Sequence, residues 1–294
     1  MELKRFGKSD YGAVCDFLIE LSRSRRDHIN WNWARFEWMY GHPSFDRSLA
    51  DSIGLWWDGG RIVGAAIYDM YFGEAFCGAL EDHGELYPEI LRYACGELGD
   101  ESGLAVAIAE DCADELAAAE RLGFAETDQL ETVMAIELDA LTAPALPEGY
   151  SFVCLDLAKD SPREIQWMFW QGFDHGDDLR EFEEDLEKTL RADLEPRIHF
   201  DPFLSVAAAD RSGQKSAYCC LWYCASTDYA YVEPVCTVPA HRGKGLGKAV
   251  VLEALRRARS LGAKRAYVIS DNPFYEKLGF TLFRRFVFYR KEKN

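Results

Sequence analysis

The sequence predicts a mixed α/β (α+β) fold in two similar halves, each a mixed, mostly antiparallel sheet flanked by helices. Three observations carry that expectation. Residues 53–68, IGLWWDGGRIVGAAIY, and 203–223, FLSVAAADRSGQKSAYCCLWY, both read as strand, Asp/Gly turn, strand. ERLGF at 120–124 and EKLGF at 276–280 recur about 150 residues apart, each ending a short helical stretch at a glycine with a strand to follow. A Pro-containing run, ALTAPALPEGY at 140–150, separates the two sets and reads as a linker. The pattern divides the chain into residues 1–140, a linker at 141–149, and residues 150–294.

The remaining elements follow in order. In the first half the aromatic run WNWARFEWMY (31–40) precedes the hairpin, EAFCGAL (74–80) is a further strand, and ETVMAIEL (131–138) is the last. In the second half another aromatic run, IQWMFWQGF (165–173), precedes the hairpin. Such runs are more often core than pocket. DHGDDLREFEEDLE (174–187) holds eight acids and one arginine, while Leu179, Phe182, Leu186 and Leu190 recur at helical spacing. That is an amphipathic helix with a solvated acidic face, or else an acidic rim that attracts a cationic amine. YAYVEPVCTV (229–238) is apolar and β-branched, a strand. KAVVLEALRRARSLG (248–262) places Val251, Leu255 and Ala258 on one helical face and stops at Gly262. FRRFVFYR (283–290) is the closing strand.

Composition narrows the function classes. A chain of 294 residues with 48% hydrophobic and 14% aromatic residues can bury ample core. Its formal net charge of −17 argues against nucleic acid or an anionic membrane as partner. The N-terminal run MELKRFGKSDYGAV has no apolar stretch of signal-peptide length, and no segment approaches a membrane span. Nine scattered cysteines with no C-x-x-C pair and no His/Cys cluster at zinc spacing predict reduced thiols, mostly buried, and no metal. Together these features predict a cytoplasmic protein.

The chemistry concentrates at HRGKGLGKA, residues 241–249. Gly243, Gly245 and Gly247 alternate with Lys244 and Leu246, between Arg242 and Lys248, at the junction of a strand and a helix N-terminus. Between Arg242 and Arg265 there are eight Lys/Arg against the single acid Glu253, in a chain that is otherwise strongly acidic. Bare amides and a helix dipole at such a junction suit an anion. A P-loop is excluded: its first glycine would fall on Arg242 and its Mg²⁺-binding hydroxyl on Ala249. The glycine spacing also fails the dinucleotide fingerprint.

RGKGLG (242–247) resembles the R/Q-x-x-G-x-G/A signature of the GNAT superfamily of N-acetyltransferases. The likeness extends through VEPVCTVPAHRGKGLGKAVVLEAL and AYVISDNPFYEKLGF (266–280). It implies acetyl-CoA as cosubstrate, its pyrophosphate on the amides of Gly243, Lys244, Gly245, Leu246 and Gly247, with charge from Arg242, Lys244 and Lys248. It further implies direct acetyl transfer to a primary amine. The chain as a whole looks like a tandem GNAT with its catalytic machinery in the second copy. In the first half EDHGELYPEI (81–90) stands where the loop should be, with Glu81, Asp82 and Glu85 in place of cations, so that copy is read as degenerate.

On the strand before the loop, Glu233 matches the position of the family's general base; alternatively it is a satisfied strand-end carboxylate. Pro234 cannot donate to a ladder and so implies a bulge or splay. Val235, Cys236, Thr237 and Val238 then become backbone contacts for pantetheine, with the Cys236 and Val238 N–H groups as candidates for the oxyanion contact. Tyr275 matches the tyrosine that protonates the coenzyme A thiolate, or is a core aromatic. Asn272 matches a coenzyme contact. Cys236 as an acetylated nucleophile, and His175 and His199 as relay bases, are weaker alternatives. The acceptor is expected to be a small amine or amino compound bound in a groove to which both halves contribute. A protein lysine acetyltransferase and a non-catalytic acyl-CoA sensor are the rival readings. The oligomeric state is left open.

Overall fold

Turn chemistry sets the path of the first unit in the computed structural model, which describes residues 1–24, 26–155, 160–191 and 197–293. After β1 (Glu2–Arg5), α1 (Tyr11–Ser24) and α2 (Trp33–Tyr40), the chain runs up β2 (Gly54–Asp58). It turns at Gly59 and Gly60, whose φ of 54° and 88° suit residues without a Cβ, into β3 (Arg61–Asp69). Then follow β4 (Tyr71–Ala79), α3 (Tyr87–Glu97), β5 (Leu104–Ala109), α4 (Ala113–Arg121) and β6 (Ala125–Glu137). β1 to β4 are antiparallel neighbours, and β4 meets β5 in parallel at Glu74↔Ala105. The aromatic run 31–40 is core: Trp33 and Phe36 are fully buried and Asn32 caps α2 by accepting from the Ala34 and Arg35 amides.

The second unit repeats the plan. β7 (Ser151–Cys154), α5 (Pro162–Gly172) and α6 (Leu179–Arg191) lead to the antiparallel strands β8 (Ser205–Ala209), β9 (Lys215–Tyr223) and β10 (Tyr229–Thr237). α7 (Leu246–Ser260) returns the chain to β11 (Arg265–Ile269), parallel to β10, and α8 (Pro273–Glu276) follows. α7 lays Leu246, Val250, Val251, Leu255 and Ala258 on the sheet, all buried; each such leucine contributes about 1.5–3 kcal/mol. In α6 only the middle of the expected stripe is covered. Phe182 and Leu186 are buried against Trp170, whereas Leu179 and Leu190 are each 60% exposed.

The last strand, β12 (Thr281–Lys291), departs from the boundary read off the sequence. It pairs antiparallel with β5, from Phe286↔Ala109 to Lys291↔Leu104, and lies between β5 and β6 in the strand order. The compact units are therefore Met1–Met134 with Ile269–Asp271 and Leu282–Asn294, and Ala135–Val268 with Asn272–Thr281. A two-part division at 141–149 misses this because the apolar run Phe286–Tyr289 marks a strand without naming its partner.

In the first unit a charged cluster surrounds Glu74. Arg35 bridges Asp69 and Glu131 at 2.7 Å each, and Asn30 also donates to Glu131. Burial first, then the Asp69 charge, raise Glu74 to about 7 against the opposing pull of Arg35. A carboxyl raised on folding holds its proton in the folded state while the unfolded chain has released it. Stability is therefore greatest below the unfolded pKa near 4.5 and falls as pH rises towards 7, by up to about 3 kcal/mol. Denaturant titrations at pH 5 and 8 should show this loss, and Glu74→Gln should flatten it and raise stability at pH 8. An unchanged slope in the variant would assign the pH dependence elsewhere.

Candidate functional site

The site is built where β10 and β11 part. Their parallel ladder pairs Tyr229↔Arg265, Ala230↔Ala266 and Tyr231↔Tyr267, whereas β10 continues to Thr237 with β9 as its partner. The register with β9 slips between Val232 and Val235, so Glu233 and Pro234 occupy a bulge, as the missing N–H of Pro234 requires. The peptide bond between them is cis. The indole N–H of buried Trp222 on β9 donates to the Glu233 carbonyl at 2.8 Å and holds the bulge in place.

Beyond the bulge the ladder decides which amides are open. Val238 N–H donates to Ser216 C=O at 3.0 Å. By the alternation of an antiparallel pair, the Cys236 N–H faces β9 as well, while those of Val235 and Thr237 face the edge that β11 has left. This corrects the expectation that Cys236 and Val238 carry the oxyanion contact; their amides are spent on the sheet. The Cys236 and Val238 side chains lie in the core packed under α5. Burial pushes the Cys236 thiol up to about 12, so it stays protonated at neutral pH and is a poor nucleophile.

The glycine loop follows Pro239–His241. Gly243 and Gly245 adopt φ of 75° and 82°, a left-handed conformation, and the space where a Cβ would stand is open at both. Gly247 has another reason: a Cβ there would meet Thr237 Oγ1 at 3.0 Å, with the Phe274 ring just beyond. The first backbone bond into α7 is Ala249 N–H to Gly245 C=O, and no side chain caps the helix. Among the described residues, the amides of Gly243 through Lys248 therefore have no acceptor within the chain, as expected of a helix N-terminus, where free amides suit an anion. Lys244 and Lys248 are exposed beside them.

Arg242 is committed differently from the sequence expectation. Its guanidinium donates to Thr237 C=O at 2.9 Å and Gly172 C=O at 3.0 Å, and pairs with Asp174 at 2.9 Å. It ties the end of β10 to the end of α5 instead of facing the open amides. Asn272 is also a structural residue here: its side-chain oxygen accepts from Phe274 N–H at 2.9 Å and caps α8.

Tyr275 is half-buried, with its ring edge-on to Phe274 at 5.1 Å and Phe280 at 5.5 Å. Its hydroxyl has no hydrogen bond within the chain among the described residues. Burial, then the charges at Cys219 and Glu233, hold the phenol well above its usual range, so it is protonated at every physiological pH. Of the weaker alternatives, His175 is exposed and packs on Trp170, and His199 is half-buried ahead of β8. A cavity of about 360 Å³ lined by Glu164, Trp167, Gln171, Gln214 and Lys215 touches the expected residues only at Val238. All nine cysteines are free thiols. No helix among the described residues is long and apolar enough to cross a membrane.

Comparison with known proteins bears on the fold and on the family. The model of the acetyltransferase (GNAT) family matches residues 161–280, which contain α5 to α8 and the glycine loop. Glucosamine 6-phosphate N-acetyltransferase of Trypanosoma brucei brucei is 40% identical over 58 residues, covering 19% of this chain and 40% of that protein. The matched segment is thus less than half the length of that relative. Two solved structures share the fold across nearly the whole chain. A tandem GNAT protein from the clavulanic acid biosynthesis pathway aligns with a TM-score of 0.62 at 17% identity, over 99% of this chain and 98% of the other. A GCN5-related N-acetyltransferase from Sphaerobacter thermophilus aligns with a TM-score of 0.58 at 18% identity, over 99% and 95%.

Proposed function

We propose that the protein, whose residues 161–280 match the model of the acetyltransferase (GNAT) family, transfers an acetyl group from acetyl-CoA directly to a primary amine, with its chemistry in the second unit. The observation that carries this reading is the juxtaposition at the bulge. The bulge of β10 holds Glu233, the edge that β11 has left offers the amides of Val235 and Thr237, the loop that follows carries amides with no acceptor within the chain among the described residues, and the Glu233 charge bears on the Tyr275 phenol of α8. A sensor of acyl-CoA needs only the loop.

The residues fit the cosubstrate. The amides from Gly243 to Lys248, with Lys244 and Lys248 beside them, hold the pyrophosphate without metal. Val235 and Thr237 offer the open strand edge to the pantetheine arm, and one of their N–H groups donates to the acetyl carbonyl oxygen. The cosubstrate supplies a thioester, whose carbonyl carbon is electrophilic. Glu233 takes the proton of the attacking amine, directly or through water. As the C–S bond breaks, Tyr275 gives its proton to the sulfur. Arg242 keeps the loop in register with α5, and Asn272 sets the start of α8 and so the position of Tyr275. In the first unit the equivalent turn, Glu81–Leu86, carries Asp82 bonded to Arg61 and His83, and it offers an acidic surface to a pyrophosphate. One acetyl-CoA per chain is therefore expected.

The acceptor we place among small amino compounds. The protein named above as the partial relative acts on a phosphorylated amino sugar, which is of this class. Calorimetry with acetyl-CoA should give a stoichiometry near one, and a thiol-release assay over an amine panel should show amine-dependent turnover. Two equivalent sites, or tight binding with no amine-dependent release, would sink the assignment.

A further inference from the structure

A cavity of the second unit lies outside the site described above. It is the space of about 360 Å³ between α5 and the turn that joins β8 to β9. Glu164, Trp167, Met168 and Gln171 recur at helical spacing, so one wall comes from a single face of α5. The opposite wall is the turn, and Asp210 fixes its shape. The Asp210 carboxylate accepts from the Ser212 and Gln214 amides at 2.8 and 3.1 Å, and Gly213 takes a φ of 88°. Met168 and Val238 belong to the core cluster under α5 and give the cavity its buried, apolar part. Gln214 and Lys215 lead into β9. The cavity therefore lies on the β9 side of β10, and not at the edge that β11 has left.

The polar groups of α5 divide by face. Arg163 and Gln166 are bound to Glu183 and Asp185 on α6. The Glu164 carboxylate and the Gln171 carboxamide, which line the cavity, have no partner within the chain among the described residues. The same holds for the side chain of Gln214 on the facing wall. The cation among the lining residues is already matched: Lys215 Nζ meets Asp160 at 2.8 Å, with both side chains mostly buried. An anion here would meet a carboxylate and no unmatched positive charge. A metal ion would find one carboxylate where it needs several oxygen ligands. A wholly apolar molecule would strip water from two carboxamides and a carboxylate without replacing their hydrogen bonds. What fits is a cation with an apolar body. We propose that this cavity binds a small organic cation, a substituted ammonium with its charge at Glu164 and its carbon atoms against Trp167 and Met168. Trp167 is half-buried and its ring meets Phe182 edge-on at 4.8 Å, so the indole is a held surface of the kind that attracts an ammonium. The volume is near the lower end for ligand sites and suits a molecule of choline's size. This is a second site, and it does not rest on the acetyl-transfer reading.

The test uses the full chain, without acetyl-CoA, and NMR titration with choline and with 3,3-dimethylbutanol, its uncharged isostere. Choline should bind about tenfold more tightly, the difference expected of one ammonium on an indole beside a carboxylate. Glu164→Gln should bring the two affinities together by weakening choline, and Glu164→Lys should abolish choline binding while the isostere still binds. Glu164 is exposed, so both variants should keep the parent's thermal midpoint. Trp167→Leu should weaken choline by about threefold or more, and Trp167→Phe should restore part of that loss. Saturating coenzyme A should leave the choline affinity unchanged. No choline binding, equal affinity for choline and its isostere, or tighter binding of inorganic phosphate would overturn the inference. So would a choline affinity indifferent to Glu164→Gln, or displacement of choline by coenzyme A, since either result places choline elsewhere on the protein. A chain that binds choline through Glu164 but releases no thiol with any amine would refute the transfer reading and support this one.

Discussion

Gly245→Asp is expected to abolish acetyl-CoA binding while leaving the protein folded. The backbone at 245 is left-handed, and a side chain there costs about 1–2 kcal/mol, with aspartate among the residues that tolerate it best. The space for a Cβ is open, so no neighbour has to move. The consequence lies in the charge. A carboxylate at the N-cap of α7 stands beside the amides of Gly247 and Lys248, and competes for the donors the pyrophosphate needs. It also repels the diphosphate by about 1–4 kcal/mol per charge at contact distance, depending on exposure. Together these predict at least a 10²- to 10³-fold loss of affinity by calorimetry, with a thermal midpoint within a few degrees of the parent. Gly245→Ala is the control: it adds the backbone strain without the charge and should lose far less affinity. Equal losses in both variants would mean that loop conformation, and not its anion-binding amides, governs the site. Unchanged affinity in Gly245→Asp would remove the loop from the cofactor site.

Much of this site was legible in the sequence because it depends on residue types with few alternatives. Three glycines at alternate positions need a reason, and the structure supplies two: left-handed backbone at Gly243 and Gly245, and close approach to Thr237 at Gly247. Pro234 announced the bulge because proline removes a ladder donor. The hairpins followed from their Asp/Gly turns. What the sequence misassigned depends on direction. Cys236 and Val238 cannot be distinguished from Val235 and Thr237 until the ladder to β9 shows which edge each amide faces. Arg242 reads as a phosphate ligand from its neighbours in sequence, yet its partners, Gly172 and Asp174, come from α5 and the turn after it, about seventy residues away. Trp222 gave no local signal, since an indole that serves a bulge on the next strand looks like any core tryptophan. β12 was identified as a strand but placed in the second half, because an apolar run that marks a strand does not name its partner, which is β5.

Tyr275→Phe should lower kcat by about 10²-fold, the range usual for one general acid, with acetyl-CoA affinity nearly unchanged. The substitution is clean. The phenol oxygen has no partner within the chain among the described residues, and Phe274 and Phe280 hold the ring by its edges, contacts that phenylalanine keeps. Stability should therefore change little. A phenol held above its ordinary range looks too weak an acid for a thiolate whose own pKa is near 8.5. Two effects narrow the gap. The burial that raises the phenol also raises the sulfur leaving beside it, because both penalise the same sign of charge. The Glu233 charge is one of the groups that raise the phenol. In the proposed mechanism Glu233 takes the proton of the amine, that charge is neutralised, and the phenol becomes more acidic as the sulfur needs its proton. Base and acid so assigned are coupled through space, so Glu233→Gln combined with Tyr275→Phe should cost less than the product of the two single losses. Steady-state kinetics with a saturating acceptor, together with calorimetry for acetyl-CoA, check both statements. Undiminished turnover in Tyr275→Phe would make the tyrosine a packing residue and transfer the proton donation to water. A parallel fall in kcat, cosubstrate affinity and thermal midpoint would show that α8 had been disturbed and the acid role left without support.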